Sequence, residues 1–206
     1  MLRQIRPAFV LLVLFSALTG LVYPLAITGI AQAVLPYPAN GSLVAKGDAP
    51  IGSMLIGQNF ASDRYFHGRP SATQAQDPAH PDDPSKTVDA PYNADNSTGS
   101  NLGPTSQKLV DRVKADVDAK RAAGWAAPIP ADAVTTSASG LDPEISPATA
   151  FAEAPAVAKA RGLPEEKVRA LVAAYVEGRA LGLIGEPRVN VLRLNLALDA
   201  LAQAKS

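Results

Sequence analysis

Hydrophobic positions are concentrated at the start of the chain. No Asp, Glu, Lys, Arg or His occurs among the 39 residues between Arg6 and Lys46, and 21 of the 28 residues in Ala8–Leu35 are apolar. About 20 such residues in a helix cross the hydrocarbon core of a bilayer. The pattern therefore predicts one transmembrane helix over residues 7–35. We expect Pro24 to kink this helix, because its ring removes one backbone hydrogen bond.

A cleaved signal peptide is the alternative interpretation of this segment. Ala31-Gln32-Ala33 has the small-x-small form of a cleavage site. The apolar stretch of a signal peptide is usually about 7–15 residues long, however, and this segment is much longer. We therefore expect an uncleaved anchor, and the rest of the chain is exported in either case.

The charges beside the segment predict its orientation. Arg3 and Arg6 directly precede it, whereas the next cation is Lys46. Under the positive-inside rule this asymmetry keeps the N-terminus in the cytoplasm. We expect a cytoplasmic stub at residues 1–6 and, anchored to the inner membrane, a periplasmic or extracytoplasmic domain at residues 36–206.

Small residues spaced by four lie along the predicted anchor. Ser16 with Gly20, and Gly29 with Ala33, would let another helix approach closely. Such pairs also occur by chance in membrane helices. We take Ser16, Gly20 and Gly29 as candidate contacts with a partner protein.

Strand and loop patterns dominate the first part of the exported domain. The short apolar run Ser53–Ile56 predicts a strand. The following segment, residues 68–104, contains six prolines, and Val88 and Leu102 are its only Leu, Ile, Val, Phe or Met. Such a segment buries too little apolar area to form regular structure, so we predict an irregular loop.

Helical spacing dominates the remainder. Thr105 can cap a helix that ends near Gly124, and Ser146-Pro147 has the form of a cap followed by a first helical residue. We expect Pro155 to restart a helix, since proline is unfavourable inside one.

The clearest amphipathic helix opens at Pro164-Glu165-Glu166. Its apolar residues follow the i, i+3, i+4, i+7, i+8 pattern of a buried face: Val168, Leu171, Val172, Tyr175 and Val176. Further on, alternation predicts extended structure to about Val191, and helical spacing predicts a helix from there to Gln203. The predicted fold class is α+β, with a mostly helical exported domain and few short strands behind one N-terminal transmembrane helix.

Composition excludes several classes of function. The 19 Lys and Arg balance the 19 Asp and Glu, which argues against a nucleic-acid binder. The absence of Cys excludes disulfides, cysteine nucleophiles and thiolate metal sites. Residues 46–206 carry 17 cationic and 19 acidic side chains, a net charge that attracts cations only weakly.

Catalytic and metal-binding motifs are missing from the sequence. Gly47 and Gly52 have the separation of a phosphate-binding loop, but Ser53-Met54 follows where Lys and Ser or Thr are required. No Asp-Lys-Thr-Gly motif and no Gly-x-Ser-x-Gly elbow occurs. Neither His67 nor His80 has the spacing of a zinc ligand pair. We therefore predict no catalytic residue, no metal site and no directly bound cofactor.

Three polar clusters remain, in Tyr65–Ser71, Ser100–Pro104 and Thr135–Pro143. One interpretation is local, because such side chains often bond to their own backbone in turns. Within the fold, Arg69 could also pair with Asp142 or Asp63. The candidate partner-contact residues in these clusters are His67, Arg69, Ser100, Asn101, Ser137, Ser139 and Asp142.

These clusters, in this order behind one anchor, resemble the KdpC family of the Kdp potassium-transporting ATPase. The resemblance extends over nearly the whole chain, and its matching stretches are Gly57-Gln58 with Phe60, Tyr65–Ala72, Gly99–Ser106, Val134–Pro147, Ala158–Leu163, Gly185–Asn195 and Ala197–Asp199. The segment Thr73–Thr98 is the least similar.

The resemblance implies an accessory subunit, not an enzyme, within a high-affinity potassium importer. Its partners would be a channel-like potassium-binding subunit and a P-type ATP-hydrolysing subunit, so ATP and potassium are handled by the complex. Family members are described as assembly factors and as catalytic chaperones that raise the ATP affinity of the hydrolysing subunit. ATP is cytoplasmic, however, whereas the charges place this domain outside. We therefore expect any effect on ATP affinity to be transmitted through the anchor helix.

Two other functions stay open at this stage. One is a tethered or secreted envelope enzyme with His67 as base and Ser137 or Ser139 as nucleophile. The other is a periplasmic binding module released by cleavage at Ala33.

Overall fold

A computed structural model describes residues 2–203 of the chain. These residues divide into two compact units, one that ends at Ser53 and one that begins at Met54. The first unit holds the apolar N-terminal segment, and the second holds most of the predicted exported domain.

A long apolar helix makes up most of the first unit. It consists of α1 (Leu2–Ala17), a π-helical segment (Leu18–Val22) and α2 (Tyr23–Val34). Its large apolar side chains are exposed along the whole length. Among the described residues, Arg3–Val34 is the one helix long and apolar enough to cross a membrane. The helix predicted from the N-terminal pattern is therefore present, and its uncovered apolar surface suits a lipid environment.

The kink expected at Pro24 stays a prediction, and the feature that the backbone shows beside this proline is the π-helical segment. Pro24 lies in the first turn of α2, directly after that segment. Its ring would crowd the carbonyl four residues earlier, at Gly20, and a π-turn widens the backbone there. Thr19 also donates from Oγ1 to the Phe15 carbonyl, at 2.7 Å.

A short hairpin completes the first unit. After α3 (Pro36–Ala39), β1 (Leu43–Lys46) pairs antiparallel with β2 (Ala49–Ser53). The strand predicted at Ser53–Ile56 is thus wrong in position, since β2 begins and ends three to four residues earlier in the sequence. Gly47 has a φ of +64° and lies in the turn of the hairpin, where Lys46 pairs with Ala49. This register ends β2 at Ser53, the first residue of the apolar run.

Within the described residues, the second unit contains two further two-stranded sheets, four α-helices and a short 3-10 helix (Ala131–Ala133). β3 (Gln74–Gln76) pairs with β4 (Thr87–Asp89), and β5 (Glu144–Ile145) pairs with β6 (Val189–Asn190). The β3–β4 hairpin lies inside the proline-rich segment, whose other described residues form turns and irregular loops. The helices are α4 (Gln107–Ala122), α5 (Pro147–Arg161), α6 (Glu165–Ala174) and α7 (Val191–Gln203).

The core of this unit forms where α5, α6 and α7 pack together. Val168 and Val172 of α6 are fully buried, as the amphipathic pattern predicts, and Leu194 and Leu198 of α7 are buried with them. Three of the four core residues of α5 are alanines (Ala150, Ala154 and Ala158), which let the neighbouring helices approach, and the fourth is Val157. The change from strand to helix at Val191 also agrees with the sequence prediction.

Helix boundaries differ from the sequence predictions at three places. Helix α6 ends at Ala174, so Tyr175 and Val176 of the predicted apolar face lie beyond it. The N-cap of α4 is Ser106 and not Thr105. Pro155 lies inside the continuous helix α5, whereas a restart was expected. Ala154 and Val157 on either side of the proline are buried, so packing against the core maintains the helix despite the unfavourable residue.

Candidate functional site

The loop that carries His67 and Arg69 is fixed to the C-terminal helix at Phe66. The Phe66 side chain is fully buried in the core. Its backbone N–H donates to Oδ1 of Asn195, and its carbonyl accepts from Nδ2 of the same residue, both at 2.9 Å. Asn195 is itself buried in α7, so both of its polar ends are satisfied in the interior. The loop that follows therefore has a defined starting point.

Arg69 joins this loop to the Thr135–Asp142 loop. Its Nη1 donates to Oδ2 of Asp142 at 3.1 Å, which is one of the two pairings considered from the sequence. Its Nη2 lies 3.5 Å from the carbonyl of Thr135 and 3.4 Å from that of Thr136. The planar guanidinium thus binds a carboxylate and two carbonyls of one loop at once.

Hydroxyl groups extend this connection. Ser71 donates from Oγ to the carbonyl of Gly140 at 2.8 Å and accepts from the N–H of Tyr92 at 3.1 Å. Thr73 donates from Oγ1 to the carbonyl of Ala90 at 2.6 Å. We call Arg69–Thr73, Ala90–Tyr92 and Thr135–Asp142 together the loop cluster.

Tyr92 is the residue of this cluster that sequence reasoning missed. Its hydroxyl donates to the carbonyl of Arg69 at 2.7 Å, and a Cβ added at Gly57 would lie 2.5 Å from its ring. Burial, reinforced by the Asp142 charge, raises the pKa of Tyr92 to about 12. Tyr92 is the one Phe, Tyr or Trp in residues 68–104, which was the available signal in the sequence.

The three candidate serines make structural hydrogen bonds, of which only that of Ser139 is local in sequence. Ser137 is buried, and its backbone N–H donates to the carbonyl of Pro70 at 3.0 Å. Ser139 is exposed, and its Oγ accepts from the N–H of Leu141. Ser100 accepts from Oγ1 of Thr136 at 3.2 Å.

Asn101 and the three candidates on the apolar helix lie outside the loop cluster. Asn101 is exposed in an irregular segment and has a φ of +50°. Ser16, Gly20 and Gly29 are exposed in the first unit, with Gly20 inside the π-helical segment. Among the described residues, nothing lies within 4 Å of a Cβ added at Gly20 or Gly29.

His67 is engaged by a buried carboxylate. Its Nδ1 lies 2.5 Å from Oε1 of Glu153, and its backbone N–H donates to Oε2 at 3.1 Å. The Glu153 side chain is only 6% exposed, whereas that of His67 is 35% exposed. A cavity of about 740 Å³ opens beside the pair, and Lys120 and Trp125 line its other side.

This geometry does not favour the serine-nucleophile alternative. Catalysis by a serine requires a base within hydrogen-bond reach of the hydroxyl. The described His67 contacts are to Glu153, while Ser137 and Ser139 belong to the loop cluster. Within residues 2–203, no group of three His, Cys, Asp or Glu side chains is arranged to hold a metal ion.

Comparisons with a family model and with individual proteins point to the same family. A family model described as KdpC, the K+-transporting ATPase c chain, matches residues 5–200. A protein of Methylobacterium nodulans named "Potassium-transporting ATPase KdpC subunit" is 63% identical over 202 residues, which are 98% of this chain and 99% of that protein. Proteins of the same name from Bradyrhizobium diazoefficiens and Rhodopseudomonas palustris strain BisB5 are 63% and 62% identical, over 98% and 97% of this chain and 99% and 98% of their own.

Proposed function

We propose a function for this chain on the basis of its family, because it belongs to the KdpC family of the K+-transporting ATPase. The chain is an accessory subunit of a potassium import complex and is not the catalytic subunit. Its proposed role is to assemble and stabilise that complex. The observation that carries this proposal is the family match over residues 5–200.

The proposed partners are the channel-like potassium-binding subunit and the P-type ATP-hydrolysing subunit. The apolar helix Arg3–Val34 would lie in the bilayer beside them. The exposed residues Ser16, Gly20 and Gly29 give it a surface on which another helix can pack closely.

The loop cluster supports a role in shape recognition. Its side chains bond to carbonyls, backbone N–H groups and one another, which leaves a rigid surface and no activated nucleophile among these described residues. A rigid surface loses little conformational entropy on association, which favours binding to another protein. We place His67, Arg69 and Asp142 near that contact surface.

The proposed topology has residues 1–6 in the cytoplasm, residues 7–35 across the inner membrane and residues 36–206 in the periplasm. Arg3 and Arg6 are the cations that support it. In this arrangement the exported domain does not reach cytoplasmic ATP. An influence on ATP affinity would then pass through the anchor helix to the hydrolysing subunit.

Co-purification and potassium-limited growth test the proposal. The tagged full chain should retain two larger membrane proteins in mild detergent, and its deletion should abolish growth at low potassium, with restoration by the plasmid-borne chain. Growth at high potassium serves as the control and should be unchanged. A tagged chain that purifies alone, or a deletion strain that grows normally at low potassium, would contradict the proposal.

A further inference from the structure

The turn between α6 and β6 exposes large aliphatic side chains. Leu181 and Leu183 are 92% and 81% exposed, and Ile184 is 66% exposed. Nearly adjacent residues of this kind form a continuous apolar projection, unlike the scattered exposed leucines of ordinary surfaces. We call these three residues the apolar tip.

The backbone holds the apolar tip in a defined conformation. Ala180 and Ile184 exchange two backbone hydrogen bonds, of 2.8 and 3.0 Å. Leu181 has a φ of +54°, a conformation unfavourable for a side chain of this size. The turn therefore presents its leucines to solvent at a cost in backbone energy. A tip ordered in advance loses little entropy when it binds.

Paired charges surround the base of the tip. Each of the three nearby arginines contacts a glutamate: Arg179 with Glu186 at 2.7 Å, Arg188 with Glu144 at 2.7 Å and with Glu177 at 3.4 Å, and Arg193 with Glu177 at 3.1 Å. An apolar centre within a polar rim is the arrangement found in protein–protein interfaces.

A lipid surface fits the tip less well than a protein does. Membrane-interface segments are rich in Trp and Tyr, and in Lys and Arg that can meet headgroups. Residues 180–185 contain none of these four residue types. The arginines at the base are already paired with glutamates.

A second copy of this chain also fits less well. Burial of one Leu or Ile side chain removes on the order of 100 Å² of apolar surface from water, so the three side chains of the tip offer on the order of 300 Å². A stable independent interface buries about 800 Å² on each partner. The tip alone is therefore too small to hold two copies together. Within the proposed complex the tip needs to contribute only part of a larger contact, because packing of the anchor helix on the same partners would raise their effective concentration.

We propose that the apolar tip inserts into an apolar recess on the extracytoplasmic face of another protein of the same Kdp complex. This inference rests on the proposed function. The tip acts as a central apolar anchor, and the ion-paired rim excludes water around it.

Substitution of the tip tests the proposal in the full chain co-expressed with the other proteins of its complex. Leu183→Ser should reduce the amount of chain retained by the complex in detergent by about tenfold, the effect of losing one strongly contributing interface side chain. Val110→Ser is the matched control, since Val110 is an aliphatic residue of α4 with 52% exposure. Retention of Leu183→Ser equal to that of Val110→Ser would overturn the proposal.

A single-cysteine probe distinguishes the possible occupants, because the chain has no native Cys. An environment-sensitive fluorophore on Leu183→Cys should shift to the blue in the assembled complex and not in vesicles that hold this chain alone. A shift in those vesicles would indicate lipid, and a disulfide between two copies would indicate self-association; both results overturn the proposal. If the wild-type chain retains no partner, the proposed function fails as well. If the wild type and Leu183→Ser are retained equally, only the tip inference fails.

Discussion

At the residue scale, Tyr92 shows how one side chain organises several loops. Tyr92 lies in a turn outside the helices and strands, and its φ of +63° is unusual for an aromatic residue. The backbone is held there by the bond from its N–H to Ser71, while its hydroxyl bonds to the Arg69 carbonyl. Gly57 and Gly68 leave the space that its ring and hydroxyl occupy. Removal of the phenol would affect three segments of the chain together.

Tyr92 also predicts a loss of stability at alkaline pH. Burial raises its pKa to about 12 in the folded protein, whereas a tyrosine in an unfolded chain titrates near ~10. Between these values the unfolded state loses a proton that the folded state retains, so the free energy of unfolding falls as the pH rises from about 10 to 12. Tyr92→Phe should lack this one-proton contribution to the slope.

Urea unfolding in detergent at pH 9 to 12, followed by the fluorescence of the single tryptophan, Trp125, measures this slope. Tyr37→Phe is the control, since it removes a phenol from the first unit, and it should keep the wild-type slope. Identical slopes for the wild type and Tyr92→Phe would show that the phenol is not protected by the fold.

At the element scale, α5 begins with a cap that reaches a second segment. Ser146 Oγ accepts from the N–H of Thr149 at 3.1 Å and donates to Oδ1 of Asp132 at 2.9 Å. Oδ1 of Asp132 also accepts from Oγ1 of Thr149 at 2.7 Å. The start of the helix is thus joined to the turn before β5, and the cap stabilises tertiary as well as helical structure.

We predict that Ser146→Ala lowers the free energy of unfolding by about 1–2 kcal/mol, the usual cost of losing a bonded serine cap. Ser106→Ala is the matched control, because Ser106 is the N-cap of α4 without a side-chain capping bond. Its effect should be within a few tenths of a kcal/mol. Thermal unfolding of the two variants checks this, and equal losses would contradict the assigned role of the Ser146 hydroxyl.

Elements with strong periodic signals were predictable from the sequence, whereas elements that depend on distant contacts were not. The apolar N-terminal helix and the buried face of α6 follow directly from spacing. Pro155 was misjudged because local propensity opposes a helix there, and the packing that outweighs it comes from other elements. The β3–β4 hairpin is formed by three-residue strands in a proline-rich segment, which leave almost no periodic signal.

The candidate site was predictable only in part, because some of its contacts leave a signal in the sequence and others depend on distant residues. The structure pairs Arg69 with Asp142, which is one of the two carboxylates that the sequence suggests as its partner. Charge complementarity limits the choice to acidic residues. The link between His67 and Glu153 spans 86 residues, and Glu153 had no distinguishing pattern within a helix. No local signal identifies such a pair.

At the scale of the whole molecule, the family assignment makes the orientation of the chain the main question for mechanism. The loop cluster, the cavity beside His67 and the apolar tip all belong to the second unit. If that unit is periplasmic, none of these features contacts cytoplasmic ATP. Each would instead act on the outer face of the complex or on the protein surfaces around it.

Single cysteines test the proposed orientation. A membrane-impermeant maleimide added to cells with a permeable outer membrane should label Ser139→Cys, which is exposed in the loop cluster. Gln4→Cys, exposed before the apolar span, should react only after the inner membrane is broken. The reverse pattern would place the domain in the cytoplasm and make direct contact with nucleotide possible.

The two hydrogen bonds between Phe66 and Asn195 bear on when the second unit can fold during synthesis. The two residues are 129 positions apart, and Asn195 lies in α7, which follows all the other described helices in the sequence. Contacts with such a large sequence separation form late, since both partners must be present before they contribute. The second unit therefore completes its core only once α7 has been synthesised. A chain that stops before α7 would lack Leu194 and Leu198 as well as these two hydrogen bonds. We therefore expect a polypeptide interrupted before α7 not to present a folded second unit to partner proteins.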